Sequence, residues 1–484
     1  MSDQGIEKTY CTLHERYSVA RRNSGFPAII VAVIVYPTAS ALPSSSSLKE
    51  RIVQLQEHFP LLCSRVEDHR KTKPYFTPNA SPWSPEDILS TTVYTPSSTG
   101  SKEEEYETLM NQEPRILVEK EDFWFGPAWQ IRALSHPSHP DSSRAYLTLA
   151  VDHIYLDGRG LLSLLNALVA DDIINLPFEK ISTPTRLDDT VDIKPSLSFM
   201  LPIVIKKLLL PKFPVFIQNY FEQPPAWPSK LIRVSPTNCE PGLSIHLLPS
   251  TDVNALKTIS KKHGVRTLHG LFKAAWMVSI WSVYRHTLVP FIARASTPRS
   301  ERDPELGHAY CTGNYVSSHR VEISLSTKDD FWVIAKKIAD ELLDPKAIAQ
   351  GRMNMGMLAY IPDGENESPV DVHRPTGWES FFLDEANSPE PFGESISVSN
   401  LGVTKLPEGA EDLFWGQESS PYAPPFSTSL IGHEAGMRMV TSWREGSAVI
   451  KDEAQKIEKT FGRVLQKLIA GQVDTALEKL TLDK

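Results

Sequence analysis

The sequence predicts an α/β (α+β) chain of two domains, each a mixed sheet flanked by helices. Three observations predict it. At 484 residues the chain is too long for one ordinary core. Short β-branched runs alternate with longer runs of helical spacing in both halves. A proline-rich stretch from about 180 to 240, with few clear elements, separates the halves and reads as a crossover. The expected organisation is a first domain over 1–185, a crossover over 186–242 and a second domain over 243–484.

Each element follows from its pattern. Residues 28–35 (AIIVAVIV) are continuous, apolar and rich in β-branched side chains, and they read as a buried strand. Leu48, Ile52, Leu55 and Phe59 keep helical spacing after a serine cap, and Pro60 ends that helix. Residues 128–134 and 144–153 read as strands, and 159–170 as a helix. Past the crossover, 243–248 is a strand. Residues 251–263 and 267–287 are helices, the second carrying Leu268, Leu271, Phe272, Ala275 and Ser279 on one face. Strands at 290–297 and 315–323, a helix at 329–343, and strands at 394–400, 427–432 and 436–443 precede a final amphipathic helix at 451–470. Ser- and Pro-rich patches at 37–47 and 77–101 read as loops.

Composition narrows the function classes. Hydrophobic residues make up 41% and charged residues 23%, enough for large cores. A net charge of −9 argues against sequence-independent nucleic-acid binding, which needs clustered Lys and Arg. Cys11, Cys63, Cys239 and Cys311 show no metal-ligand spacing and no disulfide framework, so no metal is expected and a reducing compartment fits. The first residues lack an apolar signal region, and a cytoplasmic location is expected. Residues 198–221 are apolar but interrupted by Pro202, Lys206, Lys207, Pro211 and Pro214. They read as a surface helix or an inter-domain packing segment, with peripheral membrane contact as the alternative.

The sharpest local feature is His153-Ile154-Tyr155-Leu156-Asp157-Gly158. Leu147, Leu149, Val151 and His153 share one strand face by period two. A turn follows, and a helix begins at once. A histidine held between a strand end and a helix start meets the positional demand on a general base. Asp157 suits a helix cap or a loop anchor, and Gly158 a tight turn or a close approach. Of the 14 histidines only His153 has Asp at +4. A half-buried histidine followed by a capping aspartate would leave the same local pattern. Asp152 and His153 are neighbours on a strand, so they point to opposite faces and cannot share a substrate.

In its context the pattern resembles the acyl-CoA-dependent acyltransferases with an HxxxD motif, among them fungal alcohol acetyltransferases, plant BAHD acyltransferases and peptide-synthetase condensation domains. Phe59-Pro60-Leu61-Leu62-Cys63-Ser64-Arg65 is similar to the family's early P-L-x-x-R segment. Arg299-Ser300-Glu301-Arg302, then Pro304, Leu306 and Gly313-Asn314, resemble its R-x-R…P-L…G-N stretch. Ser399-Asn400-Leu401-Gly402 resembles the SNLG strand of the fungal acetyltransferases. Asp412-Leu413-Phe414-Trp415-Gly416 is similar to the plant DFGWG motif, with Phe414 in place of a glycine. Asp152 stands where condensation domains usually carry a first histidine, which favours a free-standing acyltransferase.

The resemblance implies two chloramphenicol-acetyltransferase-like domains with a channel between them. It implies His153 as general base, acetyl-CoA or another acyl-CoA as co-substrate, a small-molecule alcohol as acceptor, no metal, and a monomer. The enzymatic alternatives are N-acylation or a carrier-protein donor; the non-enzymatic one is an acyl-ligand-binding relative. Asp157 is implied to be structural, turned from substrate and paired with an arginine of the second domain. Arg299 is the expected partner because it lies nearer the end of the apolar strand 290–297, with Arg302 the alternative. Ser399 and Asn400 are the candidate oxyanion donors. Trp415 and Gly416 are expected in a loop that shapes the channel.

Overall fold

The computed structural model describes residues 8–94, 101–136, 138–139, 143–170, 185–214, 216–217, 224–306, 311–366 and 373–482. The expected end of the first domain borders a segment outside this set, and residues 215 and 218–221 of the 198–221 stretch lie outside it. A small sheet joins β1 (Thr9–Tyr10), β4 (Tyr75–Pro78) and β3 (Ser64–Glu67). The first large sheet runs β12 (Asp412–Gln417), β2 (Ile29–Tyr36), β7 (Ala145–Asp152), β6 (Trp129–Ser135) and β5 (Leu89–Val93). The second runs β10 (Val316–Leu325), β9 (Phe291–Ser300), β11 (Ile396–Val403), β13 (Phe426–His433), β14 (Gly436–Arg444) and β8 (Pro241–Pro249). Both are mixed. β5 and β6 are parallel in the first sheet, and β11 is parallel to both its neighbours in the second.

The continuous apolar run of β2 has a structural cause. Ile30, Ala32, Ile34 and Tyr36 enter the core under the Ser45–His58 and Gly158–Leu168 helices. Ile29, Val31, Val33 and Val35 enter a second core with Tyr106, Leu109, Ile245 and Val440. A strand covered on both faces needs apolar residues at every position. β7 repeats this: Leu147, Leu149 and Val151 share the first core, Tyr146 and Ala150 the second. In the other half the Leu268–Tyr284 helix is buried almost all round and carries the largest core with the Lys451–Ile469 helix.

The predicted strands and helices form, with ends shifted by a few residues. The patterns did not reveal the Leu13–Asn23, Lys102–Gln112, Pro345–Gly356 and Gly377–Ala386 helices. The expected loop at 412–416 is instead β12, paired antiparallel with β2 from Asp412↔Val35 to Gln417↔Ile30. The two sheets therefore do not divide the chain into two continuous stretches. Asp412 ties them together. Arg438 of β14 donates to it through Nε at 3.0 and 3.1 Å and through Nη2, and His433 Nε2 lies 3.1 Å away. Burial alone would raise the Asp412 carboxyl pKa. The His433 and Arg438 hydrogen bonds outweigh it and hold the carboxyl far below the usual range. No described helix is long and apolar enough to cross a membrane.

Candidate active site

His153 is the first residue past β7. Its backbone N–H donates to the Ala28 carbonyl at 2.8 Å, which extends the β2–β7 pairing by one step. The site is completed from the other half of the chain. Gly313 N–H donates to the Tyr155 carbonyl at 2.7 Å, and Asp157 N–H donates to the Gly313 carbonyl at 3.1 Å. The 311–315 segment thus docks on the histidine loop like a short parallel strand. Gly313 has φ +104°, a conformation that side chains with a Cβ rarely adopt.

Asn314 fixes the imidazole. Its Nδ2 donates to the carbonyls of His153 at 2.7 Å and Ile154 at 3.2 Å. The amide is thereby oriented with Oδ1 facing His153 Nδ1 at 2.9 Å. An acceptor at that distance requires the proton on Nδ1. Nε2 then carries the lone pair, and among the described residues it makes no hydrogen bond. The residue is 9% exposed. Burial first, then the Arg21 guanidinium, hold the imidazole below its ordinary value of 6.5, although Asp157 and Asp152 pull the other way. The ring is neutral at pH 7. His14 lies beside it with ring centroids 5.0 Å apart, and burial and His153 push its pKa down to about 3.

Asp157 does not face substrate. Its Oδ1 accepts from Gly160 N–H at 2.7 Å, capping the Gly158–Leu168 helix, and from Arg302 Nη2 at 2.8 Å. Its Oδ2 accepts from Tyr315 N–H at 2.9 Å. Burial would raise its pKa, but the Arg302 guanidinium and the two backbone donors hold it below the usual range. The partner is thus Arg302, and the expectation of Arg299 is corrected. β9 runs on through Ser300, so Arg299 is still a strand residue, opposite Ser317, and bonds Glu301 at 2.7 Å. Arg302 lies past the strand end, where the chain turns toward the loop. It also donates to the carbonyls of Cys311 at 2.7 Å and Gly313 at 3.1 Å.

Gly158 permits a close approach. A Cβ there would lie 2.9 Å from Leu401 and 3.4 Å from Trp415. Trp415 and Gly416 are not loop residues. Trp415 is a core residue of β12 whose Nε1 donates to the Leu430 carbonyl at 2.9 Å, and Gly416 packs against Val440 and Met110. Ser399 and Asn400 line a cavity of about 480 Å³ with Asp157, Gly158, Arg159 and His269. Its described lining does not include His153, so the two residues face the Asp157–Gly158 side of the loop. Asn400 Oδ1 accepts from Gly402 N–H at 2.8 Å. Asp152 is engaged elsewhere, by Arg22 Nε at 2.7 Å and Ile154 N–H at 2.8 Å, as expected from its opposite face.

Sequence reasoning missed three contributors. Asn314 appeared only as one letter of a resemblance. Glu15 is fully buried, caps its helix by accepting from Thr12 N–H at 2.8 Å, pairs with Arg186 and accepts from Asn314 N–H at 3.4 Å. The third is a polar cluster behind the cavity. His269 Nε2 and Lys273 Nζ meet the Thr297 hydroxyl at 2.8 and 3.0 Å, and burial pushes the lysine down to about 7. A histidine and a lysine four apart on an otherwise apolar helix were the available signal.

No family model and no curated protein matches the chain. Solved structures do. The condensation domain from the monacolin K polyketide synthase MokA aligns with a TM-score of 0.62 at 11% identity, covering 97% of this chain and 98% of its own. The TRI3 trichothecene 15-O-acetyltransferase from Fusarium sporotrichioides aligns at 0.62 and 13% identity, covering 95% and 94%. The epimerization domain from the third module of tyrocidine synthetase B aligns at 0.60 and 12% identity, covering 99% of both. At such identities the likeness establishes the fold: the two-lobed, chloramphenicol-acetyltransferase-like architecture of condensation and acyltransferase domains, over nearly the whole chain.

Proposed function

We propose that the chain is an O-acyltransferase that moves an acyl group, acetyl in the simplest case, from acyl-CoA to a hydroxyl of a small alcohol or secondary metabolite. The observation that carries this reading is the fixed tautomer of His153. Asn314 Oδ1 accepts a hydrogen bond from Nδ1–H, so Nε2 is the basic nitrogen, and burial keeps the ring neutral at the pH where an alcohol needs a base. The acceptor hydroxyl gives its proton to Nε2 as its oxygen attacks the thioester carbonyl. The tetrahedral intermediate collapses, the C–S bond breaks, and the imidazolium returns the proton to the departing thiolate. No acyl-enzyme is required, and the sequence has no GxSxG elbow to form one. Holding both reactants together supplies the proximity contribution. Arg159 on the wall of the neighbouring cavity suits the phosphates of a CoA.

The test is thiol release from acetyl-CoA against a panel of alcohols, with amines and a carrier-bound acyl thioester as separate arms. Release that depends on the alcohol is expected. Release with amines alone, or from the carrier alone, would assign the alternative acceptor or donor.

Two further outcomes follow from the imidazole. The acid limb of kcat/KM should fall below pH 6.5, because the reactive form is the neutral ring and its pKa is depressed. Asn314→Asp places a carboxylate on Nδ1 and removes the donors to the two carbonyls. The acid limb should then move up by roughly 1–3 pH units, with kcat reduced. A profile unchanged in this variant would show that Asn314 does not position the base.

A further inference from the structure

The Leu197–Val204 helix and the turns that continue it carry an apolar stripe that nothing in the described residues covers. Leu197, Leu201, Ile205 and Leu209 recur every four residues and are 42–83% exposed. In a regular helix, steps of four drift slowly round the axis. The wider π-helical turn at Ile205–Leu209 offsets that drift and keeps the row on one side. The same segment walls an open apolar groove of about 670 Å³, lined by Pro202, Ile203, Leu210 and Ile217 among others. Single exposed apolar residues are ordinary; a row of this length marks a surface that meets something.

The charge pattern says what it meets. From 193 to 221 the sequence has four lysines, Lys194, Lys206, Lys207 and Lys212, and no Asp or Glu, in a chain whose net charge is −9. Lys206 and Lys212 are exposed beside the stripe. A second copy of this acidic chain would gain little from such a rim unless it presented a dedicated acidic patch. An anionic lipid surface matches both features, because apolar side chains enter the acyl boundary while lysines reach the headgroups. We infer that this segment docks the protein peripherally on membranes rich in anionic phospholipid. The inference is independent of the chemical reading of His153.

The test is flotation of the full chain with phosphatidylcholine vesicles, with or without phosphatidylserine, at low and high salt. The expected result is recovery with the anionic vesicles that declines as salt rises. Lys206→Glu/Lys212→Glu should reduce the bound fraction at least about tenfold. Leu197→Glu/Leu201→Glu should do the same, and both pairs should leave thermal unfolding unchanged, since these side chains are exposed. Failure of the wild type to float would overturn the inference, as would variants that float like the wild type. Concentration-dependent dimerisation that the leucine variant abolishes, without flotation, would assign the stripe to a second copy instead.

Discussion

His153→Ala should lower kcat for acyl transfer by roughly 10²–10⁴-fold, the range that a positioned general base contributes. The measurement is thiol release from acetyl-CoA with the best acceptor. Three structural facts bear on the size of the loss. Nε2 is freed for the reaction because Asn314 occupies Nδ1 at 2.9 Å. The ring is held by the β7 end and by the 311–315 segment, so it does not need to be organised when substrate arrives. The adjacent Asp152 carboxylate does not replace it, because it is committed to Arg22. The substitution should leave thermal unfolding nearly unchanged, since the loop is held by backbone pairing and by Asp157. Release equal to that of the wild type would remove His153 from the mechanism.

Arg302→Ala should destabilise the protein by about 3–5 kcal/mol, the cost of leaving a buried carboxylate without its counter-ion. Both partners are almost wholly buried, at 5% and 4% side-chain exposure, so solvent cannot substitute for the guanidinium. Activity should fall with stability, because the same arginine holds the Cys311 and Gly313 carbonyls of the segment that fixes His153. Arg299→Ala is the control. Glu301 keeps Arg352 at 2.7 Å and Ser317 at 2.6 Å, so its loss should cost no more than about 1 kcal/mol. The pair also sets a pH dependence. The Asp157 pKa is lower in the folded than in the unfolded chain. Its stabilisation is therefore complete above the ordinary carboxylate value of 3.8 and is lost as pH falls through the folded value. Arg302→Ala should flatten that acid-side loss in urea or thermal unfolding.

The contrast between these two arginines shows where sequence reading stops. β2, β7 and the turn into the Gly158–Leu168 helix were legible because each obeys a period, and both faces of β2 are buried. His153 and Asp157 were legible because they sit where that period ends. The choice between Arg299 and Arg302 depended on where β9 stops, and Pro298, Arg299 and Ser300 gave no apolar signal for the three extra residues. The Leu13–Asn23 helix was hidden for a related reason. Its sequence, LHERYSVARRN, reads as a solvated surface, yet Glu15, Ser18 and Arg21 are buried. The partners of Glu15 are polar: the Thr12–Glu15 capping box and its contacts with Arg186 and Asn314, while Arg21 lies over the Tyr17 and Tyr422 rings. Partnerships between residues 171 and 299 positions apart leave no local trace.

The placement of β12 has a consequence for synthesis. The ribosome delivers β2 and β7 early, but their sheet lacks its edge strand until residue 417 has emerged. Until then the backbone of β2 from Ile30 to Val35 is an open, apolar edge of the kind that recruits other chains. The first lobe therefore matures only after most of the second has been made. Fragments that end before 412 should aggregate where the full chain does not, and supplying a peptide of residues 405–420 in trans should protect them.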